Sequence, residues 1–232
     1  MNSKLANLYL VATPIGNLND LSFRALSVLK EVDLILAEDT RETKKLLRYY
    51  RINTPLLSFH QHTQLKKINY ILELLKQGKS LALVSEAGTP GLSDPGGKLV
   101  EVVVEELKDK VKIIPIPGPS ALTAAVSVSG FSMDKFLFLG FLPKKKKREK
   151  FLKEILESKY PVIFYESPFR IIKTLKELEQ KAKELKIEPK VVVCRELTKK
   201  FESIYRGKIE EVVKEIEKDK IKGEFVIIVR KK

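Results

Sequence analysis

Short apolar runs alternate with amphipathic segments along the whole chain, and this alternation limits the possible folds more than any other feature. Runs rich in Val, Ile and Leu are typical of strands buried in parallel sheets, and apolar residues three and four apart are typical of covering helices. The pattern predicts strands at 8–12, 34–37, 81–84, 113–116, 136–140, 161–165, 191–194, 202–205 and 225–229. It predicts helices at 22–31, 41–50, 63–77, 97–108, 120–129, 146–158, 168–186 and 208–218. We therefore expect an α/β protein with largely parallel strands.

The pattern starts again after a proline-rich connector. Residues 115–120 contain three prolines and a glycine, which interrupt regular structure and stiffen the chain. We predict two α/β domains, residues 1–117 and 118–232, with a ligand cleft between them. Loops at the carboxyl ends of parallel strands commonly form ligand sites, so these loops are the first candidates.

The bulk composition excludes several classes of protein. With 232 residues, 44% of them hydrophobic, the chain can bury a sizeable core. It has no uninterrupted apolar run of about 18 residues and no signal-peptide pattern, so we expect a soluble, cytoplasmic protein without a membrane partner. The single cysteine, Cys194, lies in an apolar run and is predicted to be a buried structural thiol. His60 and His62 lack the partners of a metal site, so no metal is expected.

Positive charge is concentrated in the second half of the chain. The net charge is +14, and residues 118–232 carry 28 basic and 17 acidic residues. Such a field attracts polyanions, although a solvated lysine-rich face is the alternative. The densest run lies at the start of a predicted helix, where the helix dipole makes positive charge unfavourable. The candidate contacts for a polyanion in this run are Lys144, Lys145, Lys146, Lys147 and Arg148, and Arg41, Arg170, Lys199 and Lys200 are predicted to extend them.

Four loops of the first half are candidate ligand sites. Residues 13–20, TPIGNLND, follow the first strand, but they contain neither the dinucleotide fingerprint nor a phosphate-binding P-loop. Residues 38–41, EDTR, are either site residues or a helix start capped by Asp39 or Thr40. Residues 84–97 carry four glycines and two prolines, which suits close contact with a small molecule, with an Ω-loop as the alternative. At residues 117–121, Ser120 either meets a ligand or caps a helix.

Two loops of the second half add charged side chains. In residues 165–170, YESPFR, we expect Ser167 to cap a helix that has Pro168 at its first position. Capping leaves Tyr165, Glu166 and Arg170 unexplained, so they are candidates for substrate contact. Residues 195–202, RELTKKFE, are too rich in charge for a minimal hairpin turn, with a solvated loop as the alternative.

Taken in order, these segments resemble the tetrapyrrole methylase superfamily, and most closely its branch that methylates a cytidine ribose 2′-hydroxyl in small-subunit ribosomal RNA. The resemblance rests on TPIGNLNDLSFRAL, EDTR, SEAGTPGLSDPG, PGPSA, GFLPKKKKRE, YESPFR, RELTKKFE and KGEFVIIV, which span residues 13 to 229. It implies a class III methyltransferase, usually a homodimer, whose two α/β domains bind S-adenosylmethionine in the cleft. The chain departs from the family pattern at Glu86, where aspartate is usual, and at Phe169, where histidine is common. The sequence stops soon after Val229, so we expect no RNA contacts of the kind that a C-terminal extension makes in longer relatives.

The resemblance also implies positions for the cofactor. These are Pro14, Gly16, Ala87, Gly88, Thr89, Leu92, Ser120, Ala121, Tyr165, Leu197, Gly223 and Glu224.

Methyl transfer to a ribose hydroxyl needs alignment of the reactants and is helped by a general base. Asp39, Glu86, Glu166 and Glu196 are the candidate bases, and their spacing in the sequence does not choose among them. The expected substrate is 16S ribosomal RNA or the small ribosomal subunit. A tetrapyrrole methyltransferase and a non-catalytic RNA-binding protein are the alternatives.

Overall fold

The computed structural model describes residues 5–60, 65–144 and 147–231. The chain divides into two compact units, Met1–Ser120 and Ala121–Lys232. The boundary expected at residue 117 lies in the connector between them.

The N-terminal unit is a parallel sheet covered by helices. Its strands lie in the order β3-β2-β4-β1-β5, and every pair is parallel. They are β1 (Ala6–Val11), β2 (Leu34–Ala37), β3 (Leu56–Ser58), β4 (Leu81–Val84) and β5 (Val111–Ile116). The helices are α1 (Phe23–Glu31), α2 (Thr40–Tyr49), α3 (Leu65–Lys76) and α4 (Gly96–Leu107). Two apolar clusters lie on this sheet, one around Leu8 and Leu99 and the other around Val11 and Leu29.

The C-terminal unit has a mixed sheet, in the order β6-β7-β10-β8-β9. Its elements are α5 (Ala121–Val128), β6 (Leu137–Phe141), α6 (Arg148–Glu157), β7 (Val162–Glu166), α7 (Ile171–Glu184), β8 (Pro189–Arg195), β9 (Ser203–Lys208), α8 (Ile209–Lys218) and β10 (Phe225–Lys231). Here β6 and β7 are parallel, whereas β10 is antiparallel to both β7 and β8, and β8 is antiparallel to β9. The prediction of largely parallel strands is confirmed for the first sheet and wrong for the second.

Two local expectations also need correction. Helix α7 begins at Ile171, not at residue 168, and Arg170 occupies its N-cap position. The carbonyl of Ser167 accepts the N–H groups of Arg170 and Ile171, both at 3.1 Å, so Ser167 precedes the helix and does not cap it. The short strand β3 was not predicted, because three residues are too few to show a period.

Cys194 is a buried thiol, as expected. It lies in β8 with no exposed surface, and burial raises its pKa to about 11. None of the helices in the described parts of the chain is long and apolar enough to cross a membrane.

Candidate functional site

The candidate loops of the N-terminal unit lie together at one edge of its sheet. They follow β1, β2, β4 and β5, and the carboxyl ends of parallel strands share one edge. Contacts between the loops confirm this placement. Thr13 and Gly88 exchange two backbone hydrogen bonds, of 2.9 and 3.0 Å, and the hydroxyl of Thr89 donates to the carbonyl of Pro119 at 3.1 Å.

Gly88 is at the centre of these contacts, and its backbone conformation is one that favours glycine. Its φ of +84° lies in the left-handed region that favours glycine. A Cβ atom at this position would lie 3.4 Å from the side chain of Ile15 and 3.7 Å from the carbonyl of Pro119. The predicted cofactor residues Pro14, Gly88 and Thr89 are therefore in one tightly built region.

Asp94 fixes the long glycine-rich loop. Its carboxylate accepts the backbone N–H of Gly91 at 2.8 Å and that of Gly96, the first residue of α4, at 2.7 Å. Between these anchors Leu92 keeps an exposed side chain and Ser93 has a φ of +63°. The loop is thus held from inside while Leu92, a predicted cofactor contact, faces outward.

Glu38 is a candidate that the sequence reasoning did not single out. Its carboxylate accepts the backbone N–H of Glu86, which ties the loop after β2 to the loop after β4. Burial and the nearby carboxylates of Asp94 and Glu86 raise the pKa of Glu38 above its usual value. The signal in the sequence was its place immediately after a buried strand.

The two neighbouring carboxylates have different positions. Asp39 caps α2 by accepting the backbone N–H of Arg41 at 2.7 Å, so the capping interpretation is confirmed. The side chain of Glu86 is exposed, and no described residue forms an ion pair or side-chain hydrogen bond with it. Among the predicted bases of this unit, Glu86 is therefore the one whose carboxylate oxygens accept no hydrogen bond from a described residue and are open to solvent.

Tyr165 and Ala121 lie close together in the C-terminal unit. The hydroxyl of Tyr165 receives a hydrogen bond from the backbone N–H of Leu122, in the first turn of α5, which begins at Ala121. Its ring packs edge-on against Phe138 and Phe141, with centroids 5.1 and 5.4 Å away. Burial raises the pKa of Tyr165, so the phenol stays protonated near neutral pH.

Glu166 is enclosed by partners from its own unit. It is 1% exposed, and its carboxylate lies 2.6 Å from the guanidinium of Arg170 and 3.9 Å from that of Arg148. It also accepts the hydroxyl of Thr174 at 2.8 Å and the backbone N–H of Ser167 at 2.8 Å. With its oxygens occupied in this way, Glu166 fits a structural role better than that of a base.

The position of Arg148 disagrees with its predicted RNA contact. The residue is 9% exposed, and its guanidinium also bonds Glu177 at 2.7 Å, Thr174 at 2.6 Å and the carbonyl of Pro143 at 3.1 Å. Arg170 similarly donates to the carbonyl of Leu142 at 3.2 Å. The charges of both arginines are therefore paired inside the unit. Both also hold the backbone just before the basic run, at Leu142 and Pro143.

Lys199 is likewise paired within the loop that carries it. Its ammonium group lies 2.9 Å from carboxylate oxygens of both Glu196 and Glu224. Glu196 has a φ of +51°, and a Cβ at Gly223, whose φ is +91°, would collide with the Glu196 carboxylate. The predicted cofactor residues Gly223 and Glu224 thus pack against Glu196, while Leu197 is buried.

The pairing of Glu196 makes stability depend on pH. Although burial acts in the opposite direction, hydrogen bonds from Lys199 and the backbone of Glu224 hold the pKa of Glu196 below its usual value. A lowered carboxyl pKa adds stability above the unfolded value of about 4.3, and this stability is lost as pH falls through the folded value. We expect Glu196→Gln to lower the free energy of unfolding by about 1 kcal/mol at pH 7.

Urea unfolding at several pH values between 7 and 3.5 measures this effect. The difference from the wild type should shrink toward the acidic end, whereas the exposed control Glu188→Gln should stay within about 0.5 kcal/mol throughout. A difference for Glu196→Gln that is independent of pH would contradict the assignment.

The remaining predicted RNA contacts are accessible where the structure describes them. Arg41, Lys144, Lys147 and Lys200 are exposed, and Lys147 takes a left-handed φ of +65° before α6. Lys145, Lys146 and His62 lie outside the described residues. No group of three or more metal-ligating side chains occurs in the described ranges.

Comparison with known proteins defines the class. The profile of the family described as Tetrapyrrole (Corrin/Porphyrin) Methylases matches residues 7–213, and the chain belongs to this family. Two solved structures share the fold. Diphthine synthase has a TM-score of 0.72 and 13% sequence identity, and the match covers 97% of this chain and 90% of that one. Cobalt precorrin-4 methyltransferase has a TM-score of 0.66 and 18% sequence identity, and the match covers 96% of this chain and 94% of that one.

Curated relatives are much closer in sequence. The Ribosomal RNA small subunit methyltransferase I of Thermotoga maritima is 46% identical over 224 residues, which cover 97% of this chain and 98% of the relative. The protein of the same name from Bacillus subtilis is 44% identical over 228 residues, which cover 98% of this chain and 76% of the relative.

Proposed function

We propose that this protein transfers a methyl group from S-adenosylmethionine to the 2′-hydroxyl of a cytidine ribose in 16S ribosomal RNA of the small subunit. The proposal is supported by the relative named Ribosomal RNA small subunit methyltransferase I, which is 46% identical over nearly its full length. The observation that carries it within the molecule is the meeting of three loops at Gly88, next to the exposed carboxylate of Glu86.

The N-terminal unit fits the proposed cofactor. The turn at Ala87, Gly88 and Thr89 brings backbone close to other backbone without bulky side chains, which suits the flat and polar parts of S-adenosylmethionine. Leu92 offers an exposed apolar side chain to the same ligand. When bound, the cofactor supplies an electrophilic methyl group on a sulfonium. Pro14, Gly16, Ser120 and Ala121, with Tyr165, Leu197, Gly223 and Glu224, stay predicted contacts.

Glu86 is the proposed general base. A ribose hydroxyl is a weak acid, and a carboxylate within hydrogen-bonding reach assists its deprotonation. Glu166 is enclosed by two arginines, Glu196 is held by Lys199, and Asp39 caps a helix. Glu86 has no such partner among the residues that the structure describes, and Glu38 fixes its backbone.

The remaining expectations form part of the proposal. Lys144 through Lys147 and Lys200 contact phosphates of the substrate, Arg148 and Arg170 hold the neighbouring chain in place, and Lys199 acts through its pairing with Glu196 and Glu224. The protein works in the cytoplasm as a homodimer. Methylation of a tetrapyrrole is the second candidate, favoured by the description of the family and by the shared fold with cobalt precorrin-4 methyltransferase.

Transfer of labelled methyl from S-adenosylmethionine tests the proposal. The acceptors are small ribosomal subunits that lack their own modification, naked 16S RNA, and uroporphyrinogen as the tetrapyrrole control. We expect label in RNA, whether free or in the subunit, and none in the tetrapyrrole. Transfer to the tetrapyrrole alone, or cofactor binding without transfer to any of the three, would overturn the proposal.

A further inference from the structure

A pocket of about 270 Å³ lies within the N-terminal unit beside α2. The loop after β1 lines it with Thr13, the segment after β4 with Ser85 and Glu86, and α2 with Glu42 and Lys45. Sites for drug-sized ligands start at about 300 Å³, so this pocket has the scale of a single nucleoside. The hydroxyl and carboxylate groups of this lining suit a sugar, and Pro14 and Gly16, two predicted cofactor contacts, line the pocket as well.

Thr13 supplies a polar group that lacks a partner. It is 3% exposed, and no described residue forms a hydrogen bond with its hydroxyl. Its backbone is fixed by the two hydrogen bonds to Gly88, so the hydroxyl is held in place. Buried hydroxyls are almost always hydrogen-bonded because leaving them unpaired costs stability. Thr13 lines the pocket, and a small rotation of its side chain would let a ligand hydroxyl satisfy this group.

Helix α2, which lines the pocket with Glu42 and Lys45, carries a stripe of cations on its exposed face. Arg41, Lys44 and Arg48 are exposed and follow each other at spacings of three and four residues, which places them on one face of the helix. Lys45 is paired with Glu42 at 2.6 Å, but no carboxylate in the described ranges forms an ion pair with the other three. Arg41 in the first turn is unfavourable for the helix dipole, so helix stability does not account for the stripe.

We propose that the pocket receives the ribose of the RNA nucleotide to be methylated, and that Arg41, Lys44 and Arg48 bind the phosphates that flank it. This proposal rests on the proposed function and names the binding site of its acceptor. The cations of α2 distinguish the acceptor from the cofactor, because S-adenosylmethionine carries no phosphate. Thr13 and Ser85 contact the sugar, which brings its hydroxyl to Glu86 on the same pocket wall.

The first test removes the hydroxyl of Thr13 with almost no change of shape. For Thr13→Val we expect kcat/KM with the RNA substrate to fall about tenfold, which corresponds to about 1.4 kcal/mol. Calorimetric affinity for S-adenosylhomocysteine should stay unchanged, and the melting temperature should not fall, since the lost hydroxyl has no hydrogen-bond partner in the described ranges. Thr13→Ser keeps the hydroxyl and should retain most of the activity.

The second test reverses charge on the stripe. For Lys44→Glu combined with Arg48→Glu, we expect weaker RNA binding and a slope of log K against log salt that is smaller by about 1.4 to 1.8. The matched control is Lys66→Glu with Lys76→Glu on α3, which makes the same change of net charge at exposed sites. This control should lower RNA affinity much less and leave the slope nearly unchanged.

The outcomes separate the proposal from the function on which it rests. A loss of S-adenosylhomocysteine affinity in Thr13→Val would assign the pocket to the cofactor and overturn the proposal. Unchanged kcat/KM in Thr13→Val, or equal effects of the α2 and α3 charge reversals, would overturn it as well. RNA binding is measured without methyl transfer, so failure of the wild-type enzyme to methylate RNA would count against the function alone.

Discussion

Glu166→Ala is expected to lower the free energy of unfolding by about 3–5 kcal/mol, the largest stability effect that we predict. The carboxylate is 1% exposed and lies 2.6 Å from the guanidinium of Arg170 and 3.9 Å from that of Arg148. Its removal leaves the half-buried Arg170 without a carboxylate partner among the described residues, and it leaves the buried Arg148 with Glu177 alone. An uncompensated buried charge costs far more than a surface ion pair contributes, and urea unfolding at pH 7 measures the difference.

Glu149→Ala is the matched control on the same side of this unit. Glu149 is exposed and pairs with Lys181 at 3.1 Å, so its loss should cost no more than about 1 kcal/mol. Glu166→Gln keeps the shape and should fall between the two. A loss below about 1 kcal/mol for Glu166→Ala would show that the arginines find other partners, and Glu166 would return to the candidate bases.

Glu86→Gln is expected to lower kcat for RNA methylation by about 10²–10⁴-fold, the usual contribution of a general base. The amide has nearly the same shape as the carboxylate but does not accept the proton. Because the Glu86 side chain is exposed, the variant should fold normally and bind S-adenosylhomocysteine with wild-type affinity. Single-turnover methyl transfer, measured across pH, separates the chemical step from product release.

Glu73→Gln provides the control for loss of one exposed carboxylate in the same unit, since Glu73 pairs only with Lys76 on α3 among the described residues. It should leave kcat unchanged. A wild-type rate in Glu86→Gln would exclude Glu86 as the base and make Glu38 the next candidate, since its carboxylate accepts the backbone N–H of Glu86 and its pKa is raised.

Most helices and strands could be predicted because buried strands and amphipathic helices repeat their apolar residues at characteristic spacings. Strand direction in the C-terminal sheet could not be predicted, for a physical reason. Strands β7, β8 and β10 are covered on both faces, and a continuous apolar run of this kind reads the same in parallel and antiparallel sheets. Direction is decided by the connections and by pairing at long range.

In the candidate site, the partners of single side chains could not be predicted from the sequence either. The loops were predicted because they follow strands, but the partners of their charges lie far away in sequence. Glu166 at the end of β7 meets Arg148 at the start of α6, and Glu38 meets the backbone of Glu86 from another loop. Only the three-dimensional structure separates the enclosed carboxylates from the exposed one, and the unpartnered hydroxyl of Thr13 from an ordinary turn residue.

The most direct test of the central claim is nucleoside analysis by mass spectrometry of 16S RNA after reaction of unmodified small subunits with the wild-type protein and S-adenosylmethionine. The account predicts one new methylated nucleoside, 2′-O-methylcytidine, which Glu86→Gln forms far more slowly. A methyl group on a base, on the ribose of another nucleoside, or nowhere in the RNA would contradict it.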